Sequence, residues 1–257
     1  MNIKRIIPIL TVLNGDLVKT QLFNQTNHTY IGDVLNAVRI FNDMKAEEII
    51  IIDIGATINN LEPNFDMIKK ISSVARMPIT YGGGINNINQ AKTIFLYGVE
   101  KISISSILFK NINFLKELKN EFGSQSISAT FDIKKKNNDY YIFINNGKFN
   151  TNIRPINFLE KIQDYVGELI INNIDKDGLM NGVDTAFIDT IYDKVRIPLV
   201  ITGGFGNTLE ISKIFEKYDI IGVACGSLFI FKGKNKAVLI NYPKDEILSN
   251  MKQIKTY

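Results

Sequence analysis

The stretch "MPITYGGGINNINQAKTIFLYGVEKISIS", residues 77–105, holds one complete strand–helix–strand unit. A short β-branched run ends in glycines, a stretch with helical spacing of its apolar residues follows, and a second strand begins at Lys101. Because two parallel strands need a long crossover between them, this order of elements indicates a parallel sheet covered by helices.

The same unit recurs along the chain. Eight β-branched runs alternate with amphipathic stretches, several of which begin after Asn, Asp or Thr, residues that cap helices. Eight such units in 257 residues predict an α/β fold, a single (β/α)8 or TIM barrel over residues 1–257. The predicted strands are "RIIPIL" from Arg5, "EIIIIDI" from Glu48, "MPITYGG" from Met77, "KISIS" from Lys101, "SISATFD" from Ser126, "ELIINNI" from Glu168, "IPLVITGG" from Ile197 and "DIIGVACG" from Asp219.

One segment departs from this alternation. Between the fifth and sixth strands, "DYYIFINNGKFNTNI", residues 139–153, has the pattern of a β-hairpin rather than a helix. Its turn is expected at Asn146–Gly147, since Asn-Gly supplies the positive φ angles of a type I′ turn. The sequence therefore predicts a hairpin inserted after strand five.

Four pairs of features repeat at nearly one spacing. Gly204 follows Gly83 by 121 residues, Ser227 follows Ser106 by 121, Asp132 follows Thr11 by 121, and Glu168 follows Glu48 by 120. A duplication accounts for this regularity better than chance does. We therefore expect two similar half-barrels, residues 1–122 and 123–257, and a site with approximate two-fold symmetry.

Composition bounds the class of protein. Hydrophobic residues at 45% and charged residues at 22% are ordinary for a globular protein, and a net charge of +4 spread along the chain does not indicate nucleic acid. One cysteine, Cys225, excludes an internal disulfide and fits a reducing compartment. No apolar run is long enough for a membrane span or a signal peptide, so we expect a cytoplasmic protein that does not associate with membranes.

Glycine and serine motifs close four of the predicted strands. Glycines let backbone N–H groups approach an anion closely, which is how loops bind phosphate. The alternative for a single motif is that glycine only permits a tight turn, but here the motifs form matched pairs at strand ends. They predict two phosphate cradles and hence an elongated, bis-phosphorylated ligand; the first comprises Gly83, Gly84, Ser105 and Ser106, and the second Gly203, Gly204, Gly226 and Ser227.

Carboxylates at strand ends are the candidates for acid–base chemistry. They are Asp53, Asp132, Asp175 and Asp177. Asp132 is favoured as catalytic over a capping role, whereas Asp177, which precedes Gly178, is equally well a turn cap. The single histidine, His28, falls in a polar loop and is expected to be solvated, and Cys225 is expected to be a core thiol. No residues have metal-ligand spacing, so we expect no metal and no other cofactor.

A second charged set stands at the opposite ends of the strands. One ordinary account is that charged residues mark strand entrances. The other is that two cations and two anions form a salt-bridged ring over the barrel floor, which plugs or gates an axial passage. The four residues are Arg5, Glu48, Lys101 and Glu168.

With these residues identified, the chain resembles the cyclase subunit of imidazole glycerol phosphate synthase over nearly its whole length. That resemblance implies a half-barrel duplication, a bis-phosphorylated ribulosyl aminoimidazole carboxamide substrate, and a partner glutaminase (HisH-like) that docks under the barrel and sends ammonia through it. The family's floor ring corresponds to the four floor residues above, all retained. The matching stretches are "KRIIPIL" with Lys19, "DIGAT", "YGGGI", "VEKISIS", "FDIKK", "IDKDG" with Asp177 and Gly178, "TGGFGN" and the end of strand eight.

The chain departs from this family in its catalytic pair. The family's two catalytic aspartates correspond to Thr11 and Asp132, so only the second is present. A hydroxyl does not change protonation near neutral pH and cannot replace a carboxylate as general acid or base; losing such a group costs about a hundredfold to ten-thousandfold in rate. Ser105, Ser106 and Leu179 also differ from the family's residues and are expected to alter the pocket.

A sister branch accounts for these departures better. The chain resembles cyclase-like proteins associated with glycosyl amidation, which lack the first aspartate and carry a segment like "FKGKNKAVLINYP", residues 231–243. That branch implies ammonia supply for an acetamidino group on a lipopolysaccharide or flagellar sugar, with a separate sugar amidotransferase as a further partner. The lysines of this segment form either a solvated face or a docking surface; they are Lys232, Lys234 and Lys236.

The leading hypothesis is thus an ammonia-conducting, cyclase-like lyase subunit with weakened ring closure, working in sugar amidation. The first alternative is a genuine imidazole glycerol phosphate synthase cyclase of histidine biosynthesis that compensates for Thr11. The second alternative is a non-catalytic scaffold of a glutaminase complex.

Overall fold

The computed structural model describes residues 4–219 and 221–254. In that part of the chain the strands are β1 (Arg5–Leu13), β2 (Asp16–Gln21), β3 (Asn24–Asp33), β4 (Ile49–Asp53), β5 (Ile79–Gly82), β6 (Lys101–Ile104), β7 (Ile127–Lys136), β8 (Asp139–Ile144), β9 (Phe149–Asn150), β10 (Glu168–Asn173), β11 (Leu199–Thr202), β12 (Gly222–Cys225), β13 (Phe231–Lys232) and β14 (Ala237–Val238). The helices are α1 (Val34–Asp43), α2 (Ile54–Ile58), α3 (Phe65–Val74), α4 (Ile88–Leu96), α5 (Ile107–Lys110), α6 (Asn113–Phe122), α7 (Pro155–Ile162), α8 (Thr185–Ile191), α9 (Thr208–Lys217), α10 (Ser227–Ile230) and α11 (Lys244–Ile254).

Eight of these strands close into a parallel barrel. Their order around it is β1, β4, β5, β6, β7, β10, β11 and β12, and β12 pairs with β1 to complete the circle. Each strand is one of the eight predicted from the sequence, so the (β/α)8 fold is confirmed. The predicted last strand includes residue 220, and the predicted domain 1–257 includes residues 1–3 and 255–257; these residues lie outside the described ones.

Alternation along the strands produces two apolar regions. Side chains on the outer face pack against the helices in the main core, as Ile79 and Tyr81 do on β5. Those on the inner face meet in a small cluster along the barrel axis: Ile7, Ile50, Ile170, Val200 and Ala224. The barrel strands are therefore buried on both their outer and their inner faces, as expected for a parallel barrel.

Several helices begin after a short polar side chain that caps them. Asn87 and Asn207 occupy equivalent places before α4 and α9, each in an extended conformation, and each side chain accepts a hydrogen bond from the backbone three residues on. Such caps satisfy the free N–H groups of the first turn. These two units are counterparts in the expected duplication of half-barrels, which itself stays a prediction.

The segment after β1 differs from the polar loop expected around His28. It forms an antiparallel hairpin of β2 and β3, with the turn at Asn14–Gly15 where φ is 53° and 90°. Leu17 and Val18 of β2 are buried, whereas most of β3 is exposed. An Asn-Gly pair forms this turn, as one does at 146–147, although no hairpin was predicted here.

The hairpin expected after strand five is confirmed. Strands β8 and β9 pair antiparallel, and positive φ angles begin one residue before the predicted turn, at Asn145, and continue through Asn146 and Gly147. Strand β7 also runs on past Asp132 and pairs with β8, so the insertion is a three-stranded meander. No helix in the described ranges is long and apolar enough to cross a membrane.

Candidate functional site

A cavity opens at the carboxyl ends of the barrel strands. In an (β/α)8 barrel this end carries the variable loops and is where ligands bind. Three residues that the sequence placed near the mouth, Asp53, Asp175 and Leu179, do not line this cavity. The other predicted residues do: Thr11, Lys19, Gly83, Gly84, Ser105, Ser106, Asp132, Asp177, Gly178, Gly203, Gly204, Gly226 and Ser227.

The first predicted cradle follows β5 and β6. Gly83 has a φ of 127°, and a Cβ there would collide with the backbone carbonyl of Asp53, so only glycine fits. The two serines of this cradle differ in their partners. Ser105 Oγ donates to Asp132 Oδ2 at 3.5 Å, while Ser106 Oγ accepts from the backbone N–H of Asn145 at 3.1 Å. The hairpin tip is thus tied to the rim of the cavity through Ser106.

The second predicted cradle follows β11 and β12. Gly204 is the counterpart of Gly83 and also has a positive φ, 102°. The ammonium group of Lys19 lies against Gly226, where a Cβ would clash with it, and donates to the carbonyl of Ile9 at 3.0 Å. A buried cation therefore stands beside the glycines and Ser227, which suits an anionic ligand.

Lys19 and Asp177 form an electrostatic pair inside the cavity. Burial lowers the pKa of Lys19 to about 8, against the attraction of Asp177, which acts to raise it. Burial likewise raises the pKa of Asp177 to about 6, against the opposing effect of Lys19. Between these values both groups are charged, so the pair is ionic near neutral pH.

Asp132 is the carboxylate best placed for acid–base chemistry. Burial raises its pKa to about 7, and repulsion from Asp177 adds to the rise, while hydrogen bonds from Asn172 and Ser105 act against it. A carboxyl group that titrates near neutral pH can accept or donate a proton under physiological conditions.

Thr11 faces the same cavity from the opposite side of the barrel. It lies on β1 next to Ile52, and β1 is four strands away from β7 in a closed ring of eight. The hydroxyl of Thr11 does not titrate in the range in which Asp132 does. Across the width of the mouth, a hydroxyl therefore stands opposite the titratable carboxylate of Asp132.

The other two carboxylates at strand ends have structural roles. Asp53 caps α2 by accepting a hydrogen bond from the Ala56 N–H at 3.0 Å, and Asp175 accepts one from the Lys135 N–H at 2.8 Å. The carboxylate motifs had left acid–base roles open for both; Asp53 instead caps a helix, and Asp175 binds the backbone of β7. Across the described residues, no three His, Cys, Asp or Glu side chains group in a way that would hold a metal ion.

The structure adds residues that the sequence did not single out. Asn172 lies beside Asp132 in the register of β10 and β7 and lines the cavity. Phe23 of the first hairpin region also lines it and approaches Gly147 at the tip of the second, while Asn146 lines it and donates to the carbonyl of Ile54 at 3.5 Å. The Asn-Gly turn was visible in the sequence, but its position over the mouth was not.

At the opposite end, the four charged floor residues meet below the barrel interior. Arg5 Nη1 is 2.6 Å from Glu168 Oε2 and 3.3 Å from Glu48 Oε2, and Lys101 Nζ is 3.1 Å from Glu168 Oε2. Among the described residues no ion pair joins Lys101 to Glu48, so the four form an open arc centred on Glu168 rather than a closed ring.

The pKa values of the two floor carboxylates are shifted in opposite directions. Burial works to raise the pKa of Glu168, but attraction to Arg5 and Lys101 and hydrogen bonds from Arg5 and Ser128 outweigh it, and the pKa is lowered. Burial raises the pKa of Glu48 despite the opposing effect of Arg5. Glu168 is therefore the fixed anion of the arc, and Glu48 is the more easily protonated member.

Comparison with known proteins gives a consistent result over nearly the full chain. The family model described as "Histidine biosynthesis protein" matches residues 5–236. A protein of Leptospira interrogans named "Putative imidazole glycerol phosphate synthase subunit HisF" is 40% identical, covering 94% of this chain and 96% of its own. A Pseudomonas aeruginosa protein named "Putative imidazole glycerol phosphate synthase subunit hisF2" is 37% identical over 93% and 96%. "Imidazole glycerol phosphate synthase subunit HisF" of Clostridium botulinum is 34% identical over 95% and 96%.

Proposed function

The chain belongs to the HisF family of imidazole glycerol phosphate synthase subunits, a family of lyases, and we propose that it receives ammonia from a glutaminase for the amidation of a surface sugar. One observation carries the proposal. The cavity, its glycine motifs and the ionic floor are all present, while Thr11 stands where the resemblance places a catalytic aspartate. The parts needed for ammonia delivery are retained, and one part needed for ring closure is not.

Delivery of ammonia depends on the floor. In this proposal a HisH-like glutaminase docks under the barrel against the face bearing Arg5 and Glu48, and ammonia enters past the ionic arc. Support comes from the arc's position at the amino ends of the strands and from its partly exposed members: the side chains of Arg5 and Lys101 are 20% and 28% exposed. The gap between Lys101 and Glu48 is the place where the arc can open without breaking an ion pair.

Weakened ring closure follows from the opposed pair at the mouth. Ring closure in the family uses two carboxylates, and this chain offers one, Asp132, opposite a hydroxyl. Loss of one general acid or base lowers a rate by about a hundredfold to ten-thousandfold. We therefore expect slow turnover of the bis-phosphorylated ribulosyl substrate, with a separate sugar amidotransferase using the ammonia.

The two glycine cradles support binding of a phosphorylated ligand. They lie on different strands of one cavity, and Lys19 supplies a buried positive charge beside the second. Inorganic phosphate or a bis-phosphorylated sugar derivative would fit this chemistry. We propose that such binding persists even where ring closure is slow.

A second candidate function is genuine ring closure in histidine biosynthesis. Asp132 has a pKa of about 7 and could serve alone as the proton-transfer group. The three relatives reported above all carry the name of an imidazole glycerol phosphate synthase subunit, which supports this candidate, whereas Thr11 at the mouth favours the first proposal.

One assay separates the two. The purified chain is incubated with bis-phosphorylated ribulosyl aminoimidazole carboxamide and ammonium chloride, beside a HisF that has aspartate at the position of Thr11. We expect turnover at least about a hundredfold lower than in that reference. Turnover equal to the reference would overturn the proposal of weakened ring closure. Glutamine-dependent transfer of ¹⁵N to a sugar by the complex with its amidotransferase tests the amidation role directly.

A further inference from the structure

A polar side chain flanks Asp132 on each of the two neighbouring barrel strands. On β10 its register partner is Asn172, and on the other side Ser105 follows the end of β6. Both side chains line the cavity. Ser105 Oγ is 3.5 Å from Asp132 Oδ2, which is at the long limit of a hydrogen bond. Asn172 is therefore the better placed of the two to hold the carboxyl group.

The two ends of the Asn172 amide have unlike surroundings. One end hydrogen-bonds to Asp132, and because a carboxylate only accepts hydrogen bonds, it is the NH2 group that faces it. The other end, Oδ1, is buried and has no hydrogen-bond partner among the described residues. It lies against Gly203, where a Cβ would be 3.0 Å from it. An unpaired buried acceptor costs free energy, so the amide is oriented for Asp132 at the expense of its own oxygen.

The internal repeat supplies a comparison within the chain. Asn172 follows Ile52 by 120 residues, close to the 121 that separate Thr11 from Asp132. Ile52 of β4 is the register partner of Thr11, as Asn172 of β10 is the register partner of Asp132. The half of the site that has a carboxylate therefore has an amide donor beside it. The half that has a hydroxyl has an apolar neighbour in the same place.

The wider surroundings of Asp132 favour its neutral form. Burial and repulsion from Asp177, in the loop after β10, both raise its pKa, which lies at about 7. The cation of Lys19, on β2, is paired with Asp177. On β8 the register partner of Asp132 is the uncharged Phe143, and Thr11 of β1 stands across the mouth. Hydrogen bonds to the carboxylate are thus what opposes burial and repulsion.

We propose that Asn172 is a positioning residue for Asp132, whose amide fixes the direction of the carboxyl group and stabilises its ionised form. An amide suits this task because it donates a hydrogen bond but does not titrate near neutral pH, so it does not compete for the proton. The inference goes beyond ammonia delivery and rests on the part of the proposed function that makes Asp132 the proton-transfer group.

The alternative is that Asn172 only fills space between β7 and β11. In that case, changes at this position lower activity by the same factor at every pH, and they leave the proton affinity of Asp132 as it is. The two readings therefore differ in a quantity that can be measured without any substrate.

The first measurement is an NMR titration of the chain labelled with ¹³C at its aspartate carboxyl carbons. The signal of Asp132 is identified by its absence from Asp132→Asn. Asn172→Leu keeps a side chain of similar size and removes the donor, so the pKa of Asp132 should rise from about 7 to about 8 or above, the equivalent of one hydrogen bond to a charged group. Asn172→Ala removes the same donor with a smaller side chain and should shift the pKa in the same direction.

Two further variants control for changes in packing. Asn172→Gln keeps an amide and should return the pKa of Asp132 to about 7. Ile52→Leu alters the matched position across the barrel, which also lines the cavity, and should leave the pKa of Asp132 unchanged.

The second measurement is the pH profile of kcat/KM with bis-phosphorylated ribulosyl aminoimidazole carboxamide and ammonium chloride, corrected for free NH3. In Asn172→Leu the acidic limb should move upward with the pKa of Asp132. Activity at pH 7 should then fall by about fivefold or more, because fewer molecules carry the ionised group, and most of the loss should disappear at higher pH.

Each outcome decides the matter. A raised pKa of Asp132 in Asn172→Leu or Asn172→Ala, restored in Asn172→Gln, supports the proposal. An unaltered pKa in both, or in whichever of the two folds, would overturn it. If the unmodified chain closes no ring at all, the proton-transfer role of Asp132 in the proposed function fails, while the titration still reports separately on Asn172.

Discussion

Thr11 and Asp132 lie on opposite strands of the barrel and line the same cavity, one a hydroxyl and the other a carboxylate whose pKa burial raises to about 7. They are also 121 residues apart, the spacing that relates the two phosphate cradles. The asymmetry of this pair, within a site whose glycine and serine motifs recur at the same spacing, is the main functional feature of the molecule.

The first prediction concerns the carboxylate that is missing at Thr11. Thr11→Asp should raise ammonia-dependent ring closure by about tenfold or more, because a carboxylate then stands opposite Asp132. Steady-state kinetics with the bis-phosphorylated substrate and ammonium chloride measure the change. Thr11→Asn, which has similar size and no titration, is the matched control and should give no increase. If Thr11→Asp gives none either, other differences from the family at the mouth, such as Ser105, have remodelled the pocket beyond accepting that substrate.

The second prediction concerns pH. Acting as a base, Asp132 must be ionised, so activity should fall as pH drops through about 7, and burial is the main cause of this high pKa. Asp132→Asn should abolish most activity, and any residual rate should lose this acidic limb. The pH profile of kcat/KM in the presence of ammonia, corrected for the free NH3 concentration, measures it. An acidic limb near the ordinary aspartate pKa of about 4 would contradict the assignment.

The third prediction concerns the buried cation of the second cradle. Lys19→Met keeps the length of the side chain and removes its charge, so inorganic phosphate should bind about tenfold or more weakly. In the unmodified chain, phosphate binding should weaken as pH rises through about 8, because burial lowers the pKa of Lys19 to that value. Isothermal titration with phosphate at several pH values tests both points. Binding that is insensitive to Lys19→Met would place phosphate elsewhere.

The fourth prediction concerns the ionic arc. Glu168→Gln leaves Arg5 and Lys101 without their shared partner, and because both cations are partly exposed we expect a loss of about 1–3 kcal/mol in the free energy of unfolding. Urea denaturation measures it. Glu47→Gln, which breaks the exposed pair with Lys244, is the control and should cost less than about 1 kcal/mol.

The arc also predicts a direction for pH. The folded-state pKa of Glu168 is lowered, so its contribution to stability is present above the unfolded-state pKa and is lost as pH falls through the folded-state value. The difference in stability between the unmodified chain and Glu168→Gln should therefore shrink in acid. A difference that stays constant or grows would show that the arc does not hold Glu168 as an anion.

The fifth prediction concerns the glutaminase. Glu48→Lys reverses a charge on the floor face and should weaken association with a HisH-like glutaminase by about tenfold or more, since reversed charges at an interface are unfavourable. Surface plasmon resonance measures the affinity. Lys136→Glu, an exposed reversal at the far end of β7, is the control. Equal affinities for both variants would count against docking under the floor.

The sequence alone determined the fold and much of the site. Local patterns of β-branched runs and capped helices are short-range signals, and eight of them in order leave a closed parallel barrel as the natural arrangement. Residues at the carboxyl ends of parallel strands must meet at one end of that barrel, so the predicted residues, from Gly83 to Ser227, share a cavity. The Thr11–Asp132 pair was visible through the repeat of 121 residues.

Only the tertiary structure decided what each polar side chain contacts. Asp53 and Asp132 were both predicted at strand ends, yet one caps a helix and the other faces the cavity, because the direction of a side chain depends on strand register and on the turn or strand that follows. The same holds for Ser106, which binds the hairpin tip, and for Ser128 and Thr130, whose hydroxyls reach Glu168 and Ser103 only because β10 and β6 flank β7. The alternation of side chains between the two faces of a strand can be predicted from local sequence. Which residues of the neighbouring strands these side chains contact is set by the register in which the whole barrel closes.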